Sequence, residues 1–148
     1  MIIRSANVES DALSIIDGAR AFSEITEFKE LFPSDNNAFI AAIGRIMVLE
    51  GMEIILAEHE TRIVGGIGIL LAPFLWNPEI LAADELFWWA YKNAPFRTGA
   101  CLIDEAMKRI DKKGAIPMFR VLENSPKGVE KLYRRKGMKP IETMFARI

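Results

Sequence analysis

The hydrophobic pattern changes period along the chain, and each change marks an element. Ile2-Ile3-Arg4 reads as a short strand. Ala12, Ile15, Ile16, Ala19 and Phe22 then recur at helical spacing to about Ile25, with Asn7 or Ser10 as the cap. Phe32-Pro33-Ser34-Asp35 breaks the pattern, with Ser34 or Asp35 as the next cap, and a second helix is expected from Asn36 to about Glu50, stopped by Gly51. Glu53–Glu58 and Arg62–Leu71 read as strands joined by a polar turn, His59-Glu60-Thr61. Gly65, Gly66 and Gly68 weaken the second strand, so they imply a bulge or the close approach of a backbone or ligand. Pro73–Ala82 reads as a loop. An aromatic strand, Leu86–Tyr91, follows with Glu85 at its start.

Arg97-Thr98-Gly99-Ala100 leads into an amphipathic helix with Cys101, Leu102, Met107 and Ile110 on its apolar side. Its acids come early (Asp104, Glu105) and its bases late (Lys108, Arg109, Lys112, Lys113), as the helix dipole prefers, and Gly114 ends it. Ala115–Leu122 is a further strand, placed at an edge or in an irregular pair by Pro117. Ser125–Lys136 is a short basic helix, capped by Ser125 and ended by Gly137, and Pro140–Ile148 is a last strand. The order is β-α-α-β-β-β-α-β-α-β. Three consecutive strands imply an antiparallel meander, and the crossover helix implies a parallel neighbour. The expected fold class is α/β: a mixed antiparallel/parallel six-stranded sheet with helices on both faces.

Composition narrows the class. The 148 residues, 51% of them apolar, suit one packed domain spanning 1–148. The net charge of −1 hides an asymmetry. Residues 1–91 carry 5 Lys or Arg against 14 Asp or Glu, a net −9, while residues 92–148 carry 14 against 6, a net +8. The C-terminal part therefore favours an anionic partner. One cysteine excludes an internal disulfide. The first residues lack the pattern of a signal peptide, and the longest apolar run, Ile63 to Trp76, is 14 residues with glycines and a proline, too short to span a membrane. The expectation is a cytoplasmic protein without a membrane partner.

A strand that feeds a helix through Arg97-Thr98-Gly99-Ala100 brings backbone N–H groups and a guanidinium to one spot, which suits an anion such as phosphate. On a strand, Glu85 shares a face with Phe87, Trp89 and Tyr91, and a carboxylate beside aromatics has its pKa raised, which suits a base. Its bland alternative is a solvated strand end. Glu58 and Glu123 are weaker candidates. One His and one Cys give no metal constellation and no Cys-His pair. The basic run Lys127, Lys131, Arg134, Arg135, Lys136 and Lys139 is a solvated face or a phosphate contact; a nucleic-acid partner is not expected, because aromatics are not interleaved with it beyond Tyr133. Trp76, Trp88 and Trp89 would frame a pocket or pack in a sheet or homodimer interface.

The chain resembles the GNAT superfamily, the GCN5-related N-acetyltransferases, over nearly its whole length. The resemblance rests on the opening IIRSANVESD, on the strand pair LAEHETRIVGGIGI and on LYRRKGMKPIET, where a helix meets Gly137. It implies acetyl-CoA as cofactor and transfer of its acetyl group to an amine, on a small molecule, a peptide or a protein. It further implies that the aromatic strand, Trp88, Trp89, Ala90 and Tyr91, pairs by backbone with the pantetheine arm, and that Arg97, Thr98, Gly99 and Ala100 hold the pyrophosphate. Tyr133 would protonate the leaving thiolate, with Glu85 as the base. Two departures stand out. The family's loop pattern, Gln/Arg-x-x-Gly-x-Gly/Ala, starts here on Ala94 and Arg97 in one register and on Pro95 and Thr98 in the other. The asparagine often found seven residues before the tyrosine is replaced by Pro126, with Asn124 two residues earlier as the nearest substitute. The alternative is a non-catalytic module of the same fold that binds acyl-CoA or a protein.

Overall fold

The structure, a computed structural model, describes residues 1–144. Its elements in chain order are β1 (Ile2–Ser5), α1 (Ala12–Ile25), a 3-10 turn (Lys29–Leu31), α2 (Asn36–Met47), β2 (Met52–His59), β3 (Arg62–Phe74), β4 (Asn77–Ala90), α3 (Thr98–Lys112), β5 (Ile116–Met118) and α4 (Val129–Arg135). The strands lie side by side as β1-β2-β3-β4-β5. The first four pair antiparallel and β5 pairs parallel to β4, so α3 is the crossover. The described residues thus form a mixed sheet of five strands rather than six. Of the expected last strand, residues 140–144 are not in strand conformation and residues 145–148 lie outside the described residues.

Alternation along the strands feeds two cores. Ile55, Ala57, Ile67, Ile69 and Ala83 face α3 and α4, where Leu102, Ile103, Ala106, Ile110, Val129 and Tyr133 meet them. Ile54, Leu56, Phe87 and Trp89 face α1 and α2, against Ile15, Ala19, Phe39 and Ile43. Helices cover both faces, as the pattern predicts. At Gly66 and Gly68 of β3, an added Cβ would sit 2.3 Å from the ring of Trp89 and 2.5 Å from that of Phe87. Those rings belong to the residues directly opposite on β4, so the glycines make room for aromatic side chains rather than for a ligand. Asp35 caps α2 by accepting from the Ala38 N–H at 2.8 Å. Ser125 does not cap α4: its hydroxyl accepts from the Leu122 N–H at 2.8 Å, and α4 starts three residues after the expected first turn.

The segment expected as a loop, Pro73–Ala82, is instead a long hairpin turned by Leu75 and Trp76. Its strands run past their neighbours. The last β2–β3 pair is Met52 with Leu70, and the first β4–β5 pair is Ala82 with Ile116. Pro73 and Pro78 therefore sit where the outer edges have no ladder to lose.

The decisive local feature is a bulge. Gly68 pairs with Phe87, but the next residue of β3, Ile69, pairs with Glu85. Leu86 is the extra residue, and it turns to the same core as Phe87. Alternation resets there. Glu85 consequently does not share a face with Phe87, Trp89 and Tyr91; it lies on the α3/α4 side with Ile69 and Trp88.

Candidate active site

Glu85 is 4% exposed and Tyr133 is 5% exposed. The Tyr133 hydroxyl, brought in by α4, donates to Glu85 Oε2 at 3.1 Å, and the Arg120 backbone N–H donates to the same oxygen at 3.1 Å. Loss of water raises the Glu85 carboxyl to about 7, and the two hydrogen bonds offset only part of that. The Tyr133 hydroxyl is raised as well, first by burial and then by the facing carboxylate, with the Trp88 side chain pulling the other way. Phe119 packs its edge on Tyr133 with centroids 5.5 Å apart.

The bulge turns the carboxylate into this core, and the carboxylate sits just past the end of a second strand pairing. β5 pairs only with Ala82, Ala83 and Asp84, and it ends at Met118, short of the expected Leu122. From Phe87 to Ala90, β4 has a ladder partner in β3 and none in β5. Arg120 closes the fork. Its guanidinium donates to the Glu85 carbonyl oxygen and, at 3.0 Å, to Asp84 Oδ1. Sequence reasoning passed over Arg120; the signal was a lone charge inside the apolar run Ala115–Leu122.

The residues expected to hold a cofactor separate into two groups. Trp88 faces Tyr133 and lies over Gly99, where an added Cβ would come within 2.8 Å of its ring. Ala90 is exposed and its backbone is on the open edge of β4. Arg97 is exposed, holds a left-handed conformation (φ 71°) and precedes α3, so Gly99 and Ala100 present N–H groups with no helical acceptor beside it. Trp89 points its ring into the α1/α2 core, while its backbone belongs to the stretch of β4 that has no neighbour in β5. The other group departs from expectation. The Tyr91 N–H donates to Val64 O at 3.0 Å and its carbonyl accepts from Ala94 at 2.9 Å, so it folds the turn. Thr98 is buried, with its N–H and its hydroxyl both donated to the Pro95 carbonyl at 3.1 and 2.7 Å. It anchors the helix and has no donor to spare. Asn124 lies in an exposed turn, where its N–H donates to Glu27 Oε1 at 2.6 Å. It makes no hydrogen bond to Glu85 or Tyr133.

Two clefts open elsewhere. One of about 480 Å³ is bounded by Met47, Met52, Arg109 and Lys112, and one of about 560 Å³ by Arg4, Asp11, Glu58 and Thr61. Neither reaches Glu85. In the second cleft the charges neutralise one another: Arg4 bonds Asp11 at 2.7 Å and Glu58 at 2.7 Å. No group of three or more metal-binding side chains occurs among the described residues, and no helix there is long and apolar enough to cross a membrane.

Solved structures match this architecture from end to end. A ribosomal-protein-alanine N-acetyltransferase from Brucella melitensis biovar Abortus 2308 superposes with a TM-score of 0.75, covering 100% of this chain and 99% of that one at 11% identity. An acetyltransferase of Trypanosoma brucei gives 0.72, covering 99% and 98% at 18% identity. The chain has the GNAT fold. The GNAT fold also matches a chain described as a transcriptional regulator from Bacillus halodurans C-125, with a TM-score of 0.76 over 99% and 98% at 17% identity. No family model and no curated protein sequence matches the chain. At these identities the likeness is one of fold, and function has to come from the site.

Proposed function

We propose that the protein transfers the acetyl group of acetyl-CoA to a primary amine. The observation that carries this reading is the Glu85–Tyr133 pair, a carboxylate and a phenol 3.1 Å apart at the fork where β4 loses its parallel neighbour. The chain's residues fit the cofactor. The free edge of β4 at Trp88–Ala90 suits pantetheine amides, which would add as a strand does. Arg97 with the N–H groups of Gly99 and Ala100 suits the pyrophosphate. The basic face of α4, with Lys131, Arg134 and Arg135, suits the 3′-phosphate.

Acetyl-CoA supplies an activated acyl carbon with a thiolate leaving group. Glu85 takes the proton from the acceptor nitrogen, and a carboxyl near 7 is partly ionised at neutral pH, as a base requires. Tyr133 gives its proton to the sulfur. The acidic residues 1–91 favour a cationic acceptor. Free-thiol release from acetyl-CoA with a panel of amines, matched to acetylated product by mass, tests this. No release with any amine, from protein whose melting point acetyl-CoA does raise, sinks it.

The second reading is a GNAT-fold module that binds acyl-CoA or a protein without turnover. Arg120 favours it, since its guanidinium occupies the fork beside Glu85.

A further inference from the structure

The Tyr133–Glu85 contact has a direction. A phenol has one proton to donate, and an ionised carboxylate can only accept. With Glu85 ionised, the proton of Tyr133 is held on Oε2 and points away from any leaving group. With Glu85 protonated, the carboxyl becomes a donor, the phenol oxygen accepts from it, and the phenol proton is free to turn elsewhere.

We infer that Glu85 and Tyr133 form a single proton switch, in which Tyr133 is released to protonate a leaving group only after Glu85 has taken a proton from the acceptor. This rests on the acyl-transfer reading above. The protons balance. The acceptor N–H bond breaks and a Glu85 O–H bond forms; the Tyr133 O–H bond breaks and a thiol S–H bond forms; the Glu85 proton then crosses to the Tyr133 oxygen. For an acceptor that attacks as the neutral amine, the pair ends as it began, with no proton drawn from bulk water; an acceptor that arrives as an ammonium first gives one proton to solvent.

The surroundings suit such a switch. Both side chains are almost fully buried, so the shared proton sits in a low-dielectric setting that strengthens the hydrogen bond. The Arg120 N–H holds the same carboxylate oxygen and fixes its aim. The charged groups that bear on it are the Arg120 guanidinium, from the segment between β5 and α4, and Asp84 on its own strand, which Arg120 pairs. The switch ties expulsion of the thiolate to deprotonation of the amine.

Two measurements test it. The first needs no turnover: infrared titration of the Glu85 carboxyl in wild type and in Tyr133→Phe, with Glu85→Gln to assign the band. Removing the hydroxyl should move the titration above its position near 7, since a donor to the charged form is lost. An unmoved titration overturns the switch. The second is a double-mutant cycle on single-turnover acetylation. Tyr133→Phe should cost on the order of 10²-fold, Glu85→Gln at least as much, and the double variant no more than Glu85→Gln alone. Losses that multiply overturn the switch and leave the acyl-transfer reading standing. A wild type that binds acetyl-CoA and acetylates no amine overturns both.

Discussion

Ile69 on β3 lies opposite Glu85, whereas Gly68, the residue before it, lies opposite Phe87. That skip over Leu86 puts a carboxyl into the α3/α4 core, at 4% exposure. Its folded value of about 7 stands above the ordinary 4.5. A group raised in this way contributes its full stability below the ordinary value and loses it as pH rises through 7. Glu85→Gln removes the titration. The variant should therefore gain on wild type between pH 5 and pH 8, by about 3 kcal/mol at the upper end. Melting curves of the two proteins across that range check the slope; parallel curves would mean the carboxyl is not buried as described.

The paired glycines give a packing prediction. Trp89 and Phe87 fill the space over Gly66 and Gly68, and both rings are packed among the other side chains of the α1/α2 core. Gly66→Ala and Gly68→Ala should each cost about 1–3 kcal/mol through overpacking. Gly44, inside α2, has nothing within 4 Å of an added Cβ. Gly44→Ala should instead stabilise by about 0.5–1 kcal/mol. Denaturant titrations that rank these variants in any other order contradict the packing.

Local signals made the order of elements legible. Period changes, Gly51, Gly114 and Gly137 as stops, and Asp35 as a cap all act within one turn of chain. The pairing of Tyr133 with Glu85 could be anticipated only as two roles, since nothing in the chain says that residues 48 positions apart share a proton. The face of Glu85 was misread because a bulge is decided by register between strands, and Leu86 looks like any other apolar strand residue. Thr98 was misread for a different reason. A threonine at a helix start suits a phosphate or its own capping turn equally well, and here Pro95 takes both of its donors.

Arg4 joins three elements. Its guanidinium bonds Asp11, at the start of α1, through two oxygens at 2.7 and 3.0 Å, and Glu58 on β2 at 2.7 Å. The Asp11 carboxyl is held below its ordinary value chiefly by Arg4. A lowered carboxyl contributes stability above its ordinary value, near 3.8, and loses it as pH falls through the folded value. Asp11→Asn should cost about 2 kcal/mol at pH 7, tempered by the partial exposure of Arg4, and should flatten the acid limb of the stability curve. An unchanged acid limb would assign the ion pair no part in acid unfolding.

Arg97 offers the sharpest test of where a nucleotide cofactor sits. It is exposed, it precedes α3, and it holds φ 71°, a conformation that costs any side chain and that glycine adopts freely. Arg97→Ala therefore changes two things at once, charge and backbone strain. Arg97→Gly keeps the left-handed turn, and with it the aim of the Gly99 and Ala100 N–H groups, while removing the guanidinium. If those donors and Arg97 share a pyrophosphate, Arg97→Gly should weaken CoA binding by on the order of 10-fold at low salt, the usual loss for one charge-assisted hydrogen bond. The gap to wild type should narrow as salt rises, because the site is open to solvent. Pantetheine, which carries no pyrophosphate, should bind both proteins equally. Calorimetric titrations at two ionic strengths distinguish the outcomes. Equal CoA affinity of wild type and Arg97→Gly at low salt removes Arg97 from the site. An equal loss for pantetheine shows that the turn acts by shaping the end of β4 and not by holding charge.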